Sequence, residues 1–291
     1  RSLSTSLATQ ESLNNMSSKF GGRTPVRIYF LDNSSKMFLL EPTSTALDVI
    51  KMILQKLDVT TYLNITAQYF GLYESLNGAT IDSPLDFEVR VSDVISRWIE
   101  DNGSKLVFMI RLFVPSIWGF QFKDVVASRL GQTKDILTLQ AHLEAAEVID
   151  SQLLHLQYNQ CVYNVITGQY PTTPELALEL GVYHFIYKFG AFDETRHHLG
   201  FLSNRIVEFL PFSHLRGSNI DEWEQKLLNN VKEIQSSHSA LTGKRNFDPQ
   251  RRYVETVMLR LSAFYGCAFF RCSQTQFTTL PSDLYVAIHR Q

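Results

Sequence analysis

The sequence lacks any long apolar run, and it has few cysteines and almost no charge imbalance. Its strongest apolar runs, at 106–110 and 264–270, are far shorter than the roughly 20 residues that a membrane-spanning helix requires. Cys161, Cys267 and Cys272 show no CxxC spacing and are odd in number, which favours reduced thiols in a reducing compartment. Because 27 Lys and Arg residues face 29 Asp and Glu residues, the whole chain is not an electrostatic partner for nucleic acid.

Sequence motifs of the common enzyme classes are also absent. The chain contains no GxSxG, no GxxxxGK[ST] and no HExxH sequence. The adjacent His197 and His198 lack the spacing of a zinc site, because neighbouring residues on a turn point apart. Cys161 lies in a predicted helix and Cys267 in a predicted strand, without the cationic surroundings that activate a thiol. We therefore expect no enzymatic activity, no metal site and no cofactor in these residues.

The composition is otherwise that of a globular protein. Hydrophobic residues make up 44% and charged residues 19% of the 291 positions. A chain of this length ordinarily holds about two or three domains. Residues 1–25 are rich in Ser, Thr, Asn and Gly and have few large apolar side chains, so we predict a flexible lead-in there.

Residues 26–115 are predicted to form a strand-rich lobe. Apolar segments at 26–31 and 36–41 flank the turn sequence DNSS and predict a hairpin. Apolar residues then recur at three- and four-residue steps, which predicts a helix over 46–57 capped by a hydroxyl of Thr43–Thr45. Strands at 68–73 and 105–113 and a short helix at 94–99, capped by Ser92 or Asp93, complete the lobe. This order of elements is that of a ubiquitin-like β-grasp.

Residues 116–240 are predicted to form a helical lobe. Apolar residues keep helical spacing from 136 until Gly168, and Asp150-Ser151 restarts the pattern, which predicts two helices. Pro174 and Gly190 mark the first turn and the end of the next helix. Further helices are predicted at 201–210 and 221–235.

Residues 241–291 combine a basic stretch with two strands. The sequence GKRNFDPQRR carries Lys244, Arg245, Arg251 and Arg252 against a single acid, Asp248. A helix that starts at Arg251 is predicted to lead into the strand FYGCAFF, and the segment LYVAIH at 284–289 predicts a second strand. These two strands are predicted to pair as the start of a further sheet.

Four segments of the helical and C-terminal regions are distinctive in their order and spacing. They are DSQLLHLQYNQCVYNVITGQYP at 150–171, LALELGVYHFIYKFGAFDETRHHLGFL at 176–202, FLP at 209–211 and YVETVMLRLSAFYGCAFFRCSQ at 253–274. In this order they resemble the FERM module of band 4.1, ezrin, radixin and moesin. The last segment resembles the entry into the third lobe in talin-like and unconventional-myosin-tail FERM modules and in small FERM adaptors. The resemblance spans roughly residues 26 to 288.

The resemblance implies an α+β, multi-lobe fold. We expect a ubiquitin-like lobe at 26–115, an all-α lobe like acyl-CoA-binding bundles at 116–240, and the linker and start of a pleckstrin-homology-like lobe at 241–291. A full third lobe needs more residues than the sequence holds, so we expect a fragment.

The implied role is that of a non-catalytic adaptor that links membrane-protein cytoplasmic tails or anionic lipids to the actin cytoskeleton. Such a module is expected in the cytoplasm, peripheral at the membrane or the cytoskeleton. Peptide recognition would add a strand at the edge formed by Leu284, Tyr285 and Val286.

Three alternatives stay open from the sequence. The basic residues Lys244, Arg245, Arg251 and Arg252 either face an anionic membrane or merely keep a linker soluble. The module either acts as an adaptor or targets a larger motor, kinase or phosphatase. A stand-alone acyl-CoA carrier is disfavoured, because the acidic balance of the helical lobe opposes a phosphate-bearing ligand.

Overall fold

The computed structural model describes residues 22–59, 63, 67–76, 81, 83–98, 103–111, 151–241, 247–276, 279 and 283–288. These residues fall into two compact units, one rich in strands and one helical. Within the described ranges, no helix is both long enough and apolar enough to cross a membrane. The helix predicted between 136 and Asp150 lies outside the described residues, as does most of the flexible lead-in predicted at 1–25. At its end that prediction was wrong, because residues 24 and 25 are already in a strand.

A five-stranded mixed sheet forms the centre of the first unit, in the order β2-β1-β5-β3-β4. Strand β1 pairs antiparallel with β2 and parallel with β5, and β3 pairs antiparallel with both β5 and β4. The strands are β1 Thr24–Tyr29, β2 Ser35–Leu40, β3 Phe70–Ser75, β4 Ser83–Pro84 and β5 Lys105–Ile110.

The predicted β1–β2 hairpin is confirmed. Asn33 adopts a positive φ of 63° in the turn, and the Asp32 carboxylate accepts a hydrogen bond from the Ser34 backbone N–H at 2.9 Å. Asn and Asp tolerate this geometry because their side chains bond to the local backbone. Side chains of β2 alternate between buried and exposed positions, with Met37 and Leu39 on the exposed side.

Helix α1 spans Ala46–Lys56 and covers one face of the sheet's core. Thr45 forms a capping box, since its side chain accepts from the Asp48 backbone N–H and the Asp48 carboxylate accepts from the Thr45 N–H. The helix buries the residues that the sequence pattern places on one face, among them Val49, Ile50 and Ile53. The predicted helix and its hydroxyl cap are therefore confirmed.

Helix α2 spans Val91–Ile95, whereas the sequence predicts a helix from 94 to 99, so the prediction was wrong at its start and also at its end, where residues 96–98 form a turn. Ser92 does not cap it, because its hydroxyl donates to the Pro42 carbonyl at 2.9 Å. The helix begins earlier because the Val91 N–H donates to the Ser44 carbonyl at 3.1 Å and because Val91 is fully buried. A contact this distant in sequence leaves no local signal.

The remaining strand predictions shift by a few residues. Strand β3 begins at Phe70, because residues Ala67–Tyr69 form a 3₁₀ turn where the sequence predicts strand. Strand β5 ends at Ile110, and residues 112 and 113 of the predicted strand lie outside the described residues.

The helical unit contains α3 Ser151–Ile166, α4 Pro174–Phe189, α5 Phe212–Leu215, α6 Ile220–Leu241 and α7 Pro249–Arg260. Helix α4 packs against α6 and α7, and α7 also packs against α3.

The glycines that are predicted to end α3 and α4 do follow these helices. Gly168 and Gly190 have φ of 80° and 77°, because glycine enters the positive-φ region without a Cβ clash.

The helix predicted over 201–210 is not formed. This segment consists of turns with one 3₁₀ turn at Ile206–Glu208. Most of its backbone hydrogen bonds span three residues, as in Arg205 N–H to Leu202 C=O at 2.7 Å, and the one from Leu210 N–H to Ile206 C=O spans four. The apolar spacing that predicts a helix is used here to bury Leu202, Ile206, Phe209 and Leu210 in the core of the unit.

Strands β6 Ala268–Ser273 and β7 Asp283–Ile288 form an antiparallel pair, which confirms that the last two predicted strands pair. The first strand was predicted to begin at Phe264, but residues 261–266 form turns. Gly266 has a φ of 82° there and redirects the chain into β6.

Candidate binding surfaces

The predicted basic residues lie at the start of α7. Lys244 and Arg245 are outside the described residues. Arg251 and Arg252 occupy the first turn of α7, behind the N-cap Asp248, whose carboxylate accepts from the backbone N–H groups of Gln250 and Arg251. The structure therefore places this part of the predicted basic linker on a helix.

The carboxylate of Glu255, which the sequence pattern did not single out, forms ion pairs with both arginines. Arg251 Nε donates to Glu255 Oε1 at 2.8 Å, and Arg252 Nη1 lies 3.5 Å from Glu255 Oε2. Glu255 is buried, and the two guanidinium groups remain partly exposed. Two positive charges and one negative charge leave this cluster one net positive charge. Arg252 and Arg251 precede Glu255 by three and four residues in the sequence, and this spacing on a helix could have predicted the two ion pairs.

The β6–β7 pair carries an exposed apolar face. Phe270 and Val286 stand directly opposite each other, and Ile288 lies two residues along β7 on the same face. Their side chains are 40%, 47% and 55% exposed. Scattered apolar residues on a surface are ordinary, but three neighbours on one sheet face are typical of a contact surface.

The predicted peptide-binding residues all lie on β7. Leu284, Tyr285 and Val286 stand opposite Cys272, Arg271 and Phe270. Among the described strands, β6 is the sole partner of β7, so the outer edge of β7 has no strand beside it. Phe270 and Ile288 extend the predicted peptide-binding surface. The alternation of side chains between the two faces of a strand, applied to the FF and YVAI segments, could have indicated both residues.

The described part of the helical unit buries a thiol and a tyrosine–histidine pair. Burial raises the pKa of the Cys161 thiol, which keeps it protonated and unreactive at neutral pH. The Tyr158 hydroxyl lies 2.5 Å from His184 Nδ1, and both side chains are buried. In the part of the chain that the structure describes, no group of three or more His, Cys, Asp and Glu side chains could hold a metal ion.

Comparison with known proteins finds two matching domain families. The family model of the FERM central domain matches residues 144–270, and the model of an RA-like domain matches residues 22–112. This chain is therefore similar to FERM proteins. The two matches correspond to the helical unit and to the five-stranded sheet with its helices.

Two curated relatives come from Dictyostelium discoideum. FERM domain-containing protein C is 24% identical over 241 residues, which are 79% of this chain and 12% of that protein. Talin-A is 28% identical over 121 residues, which are 42% of this chain and 4% of talin-A. The chain therefore spans a small part of the relatives that it matches.

A solved structure supports the same α+β fold. The MyTH4-FERM MF2 domain of Dictyostelium discoideum myosin VII superposes with a TM-score of 0.62 at 17% identity. The match covers 97% of this chain and 49% of that chain. At this identity the likeness concerns the fold alone.

Proposed function

We propose that this chain is a non-catalytic FERM adaptor module that connects cytoplasmic tails of membrane proteins, or anionic lipid surfaces, to the cytoskeleton. The match to the FERM central domain and the likeness to talin-A support this role, and the fold likeness to the MyTH4-FERM domain of myosin VII agrees with it. Such a module acts in the cytoplasm, at the membrane or the cytoskeleton. In finer detail, the five-stranded sheet is a ubiquitin-like lobe, the helices form an acyl-CoA-binding-protein-like bundle, and β6–β7 begins a pleckstrin-homology-like lobe.

The observation that carries the proposal is the edge of β7. Its outer backbone groups have no partner strand among the described residues, and Val286 and Ile288 expose apolar side chains beside that edge. An extended peptide bound there forms main-chain hydrogen bonds with β7, and its apolar side chains cover those of the hairpin. Affinity then comes from the backbone and selectivity from the side-chain positions.

Peptide selection tests this binding mode. A phage-displayed peptide library is selected on the chain, and the affinity of the recovered peptides is measured by fluorescence anisotropy. Val286→Asp is expected to weaken binding by roughly tenfold or more, because it places a charge in a desolvated contact. Met37→Asp is the matched control, since Met37 is 45% exposed and Val286 47%. Equal affinity for both variants would refute the β7 site.

Lipid binding by the basic residues is tested separately. Sedimentation is measured with phosphatidylcholine vesicles that do or do not contain phosphoinositide. Lys244→Gln/Arg245→Gln removes two charges worth about 1 kcal/mol each near an anionic surface, so binding should weaken by roughly thirtyfold. Arg251 and Arg252 are unsuitable targets, because their removal leaves the buried Glu255 without its partners.

The matched control for the lipid experiment is Arg216→Gln/Lys226→Gln, which removes two exposed charges elsewhere in the helical unit. It is expected to bind vesicles like the unmodified chain. If the two double variants bind equally, the basic stretch has no role in membrane contact.

A second candidate function is that of a cargo-binding or targeting module in a larger motor. The observation that favours it is the fold likeness to the MyTH4-FERM domain of myosin VII. A targeting module of a kinase or phosphatase would use the same surfaces. Determining the gene sequence on both sides of this chain distinguishes these roles.

A further inference from the structure

A buried histidine lies in the segment 191–202, between α4 and the turns that precede α5. His197 is 2% exposed, and four phenylalanine rings surround its imidazole. Its ring centroid lies 4.8 Å from Phe201, 5.0 Å from Phe185, 5.6 Å from Phe192 and 6.1 Å from Phe189. An apolar environment of this kind favours the neutral form of a histidine.

Hydrogen bonding determines which nitrogen of His197 carries the proton. The backbone N–H of Asp193 donates to Nδ1 at 2.9 Å. Nδ1 is therefore unprotonated, and the proton of the neutral ring is on Nε2, which is buried without a hydrogen-bond partner. A second proton on Nδ1 would face the Asp193 N–H, so protonation breaks this hydrogen bond and also places a charge among the four rings.

The same segment is held to α6 by three side chains. The Phe192 N–H donates to Gln235 Oε1 at 2.5 Å, and the Leu202 N–H donates to the buried carboxylate of Glu224 at 2.6 Å. Lys232 forms an ion pair with Glu194. His197 lies between these attachment points. Its contacts with the phenylalanine rings hold the middle of a segment whose two ends are bonded to α6.

The charged groups around His197 do not reverse the preference of its imidazole for the neutral form. Burial lowers the pKa of His197, Arg196 lowers it further, and Asp193 opposes them. The Asp193 carboxylate already accepts hydrogen bonds from the backbone and hydroxyl of Thr195. From the turns beyond the segment, the Arg205 guanidinium lies over the Phe189 ring at 5.4 Å, but it is paired with the Glu208 carboxylate at 2.9 and 3.0 Å, so the pair adds no net charge near the cluster.

We propose that His197 is a pH-sensitive latch, which keeps the segment 191–202 packed on the helical unit while it is neutral and releases it when it is protonated. Because the folded state disfavours the proton, the latch is closed above the ordinary histidine pKa of about 6.5 and opens as the pH falls below it. This role is independent of the β7 edge and of the basic stretch.

Hydrogen exchange with mass spectrometry of the full 291-residue chain tests the latch. After correction for intrinsic exchange, the opening constant of amides in 191–202 should rise by up to about eightfold between pH 7.0 and pH 5.5. His197→Asn should remove the rise, because the Asn Oδ1 can accept from the Asp193 N–H and does not titrate. The exposed neighbour provides the matched control, and His198→Asn should keep the rise of the unmodified chain.

Two outcomes overturn the proposal: no rise in the unmodified chain, or an equal rise in His197→Asn. Should His197→Asn fail to fold, nitrogen-15 NMR of the unmodified chain decides. Protonation of Nε2 at pH 7 with a midpoint below 6.5 supports the latch, and a midpoint of 6.5 or above refutes it.

Discussion

Acid should destabilise the helical unit through one buried histidine, His184 of α4. It is 6% exposed, its Nδ1 lies 2.5 Å from the Tyr158 hydroxyl, and its ring lies 4.9 Å from that of Phe209. Burial raises the pKa of Tyr158, so the phenol keeps its proton and donates it to Nδ1. His184 is therefore held neutral with Nδ1 as an acceptor.

The size of the effect follows from linkage between protonation and folding. Burial is the main cause that lowers the pKa of His184 to about 3; Lys188 and Arg205 lower it further, and Glu208 opposes them. In the unfolded chain the pKa is about 6.5. The unfolded state therefore binds the proton first, and the stability that His184 contributes is complete above pH 6.5 and decreases as the pH falls toward 3. Between pH 7 and pH 5 the loss is about 2 kcal/mol.

Urea denaturation at pH 7, 6 and 5 measures this loss. His184→Asn keeps an acceptor near the Nδ1 position and cannot titrate, so its free energy of unfolding should fall by about 2 kcal/mol less over this range than that of the unmodified chain. His198→Asn, at an exposed position, controls for the loss of one histidine. If His184→Asn shows the same pH dependence as the unmodified chain, His184 is not buried in neutral form.

Three further substitutions test the packing of the two units. Thr45→Ala removes the capping box of α1 and should lower the free energy of unfolding by about 1 kcal/mol in urea denaturation; an unchanged value would show that the cap contributes nothing. Phe185→Ala leaves a cavity in the helical core and should cost about 3–5 kcal/mol in the same assay, whereas a loss below 1 kcal/mol would contradict the packing. Gly181→Val should lower the melting temperature measured by circular dichroism, because a Cβ there lies 3.1 Å from Leu227 Cδ1 and 3.2 Å from the Phe209 carbonyl oxygen; an unchanged melting temperature would show that the neighbours can move.

Local signals were sufficient for the elements that local interactions specify. The β1–β2 hairpin follows from alternating residues around a turn that contains Asp32 and Asn33, and α1 follows from apolar spacing behind Thr45. Helix α2 was misplaced because Val91 is held by Ser44, far away in the sequence. Residues 201–210 have helical spacing, but their apolar side chains are buried by turns that pack against α6.

In the candidate sites, too, some residues could be predicted from local sequence and others only from the fold. The strand β7 was predictable from its own composition, and its exposed neighbour Phe270 becomes visible only when the register is known. Glu255 could have been read from its spacing to Arg251 and Arg252. The four phenylalanine neighbours of His197 lie within twelve residues of it in the sequence, but only the path of the chain from α4 into the following turns shows that their rings meet around it.

Peptide binding at the edge of β7 is the role proposed for this chain. Hydrogen exchange of the chain, with and without a peptide selected from the phage library, tests it most directly. Strand addition predicts that the peptide slows exchange of backbone amides within Asp283–Ile288, because their outer N–H groups gain partners. Slower exchange elsewhere in the chain, with no change at Asp283–Ile288, would contradict the account.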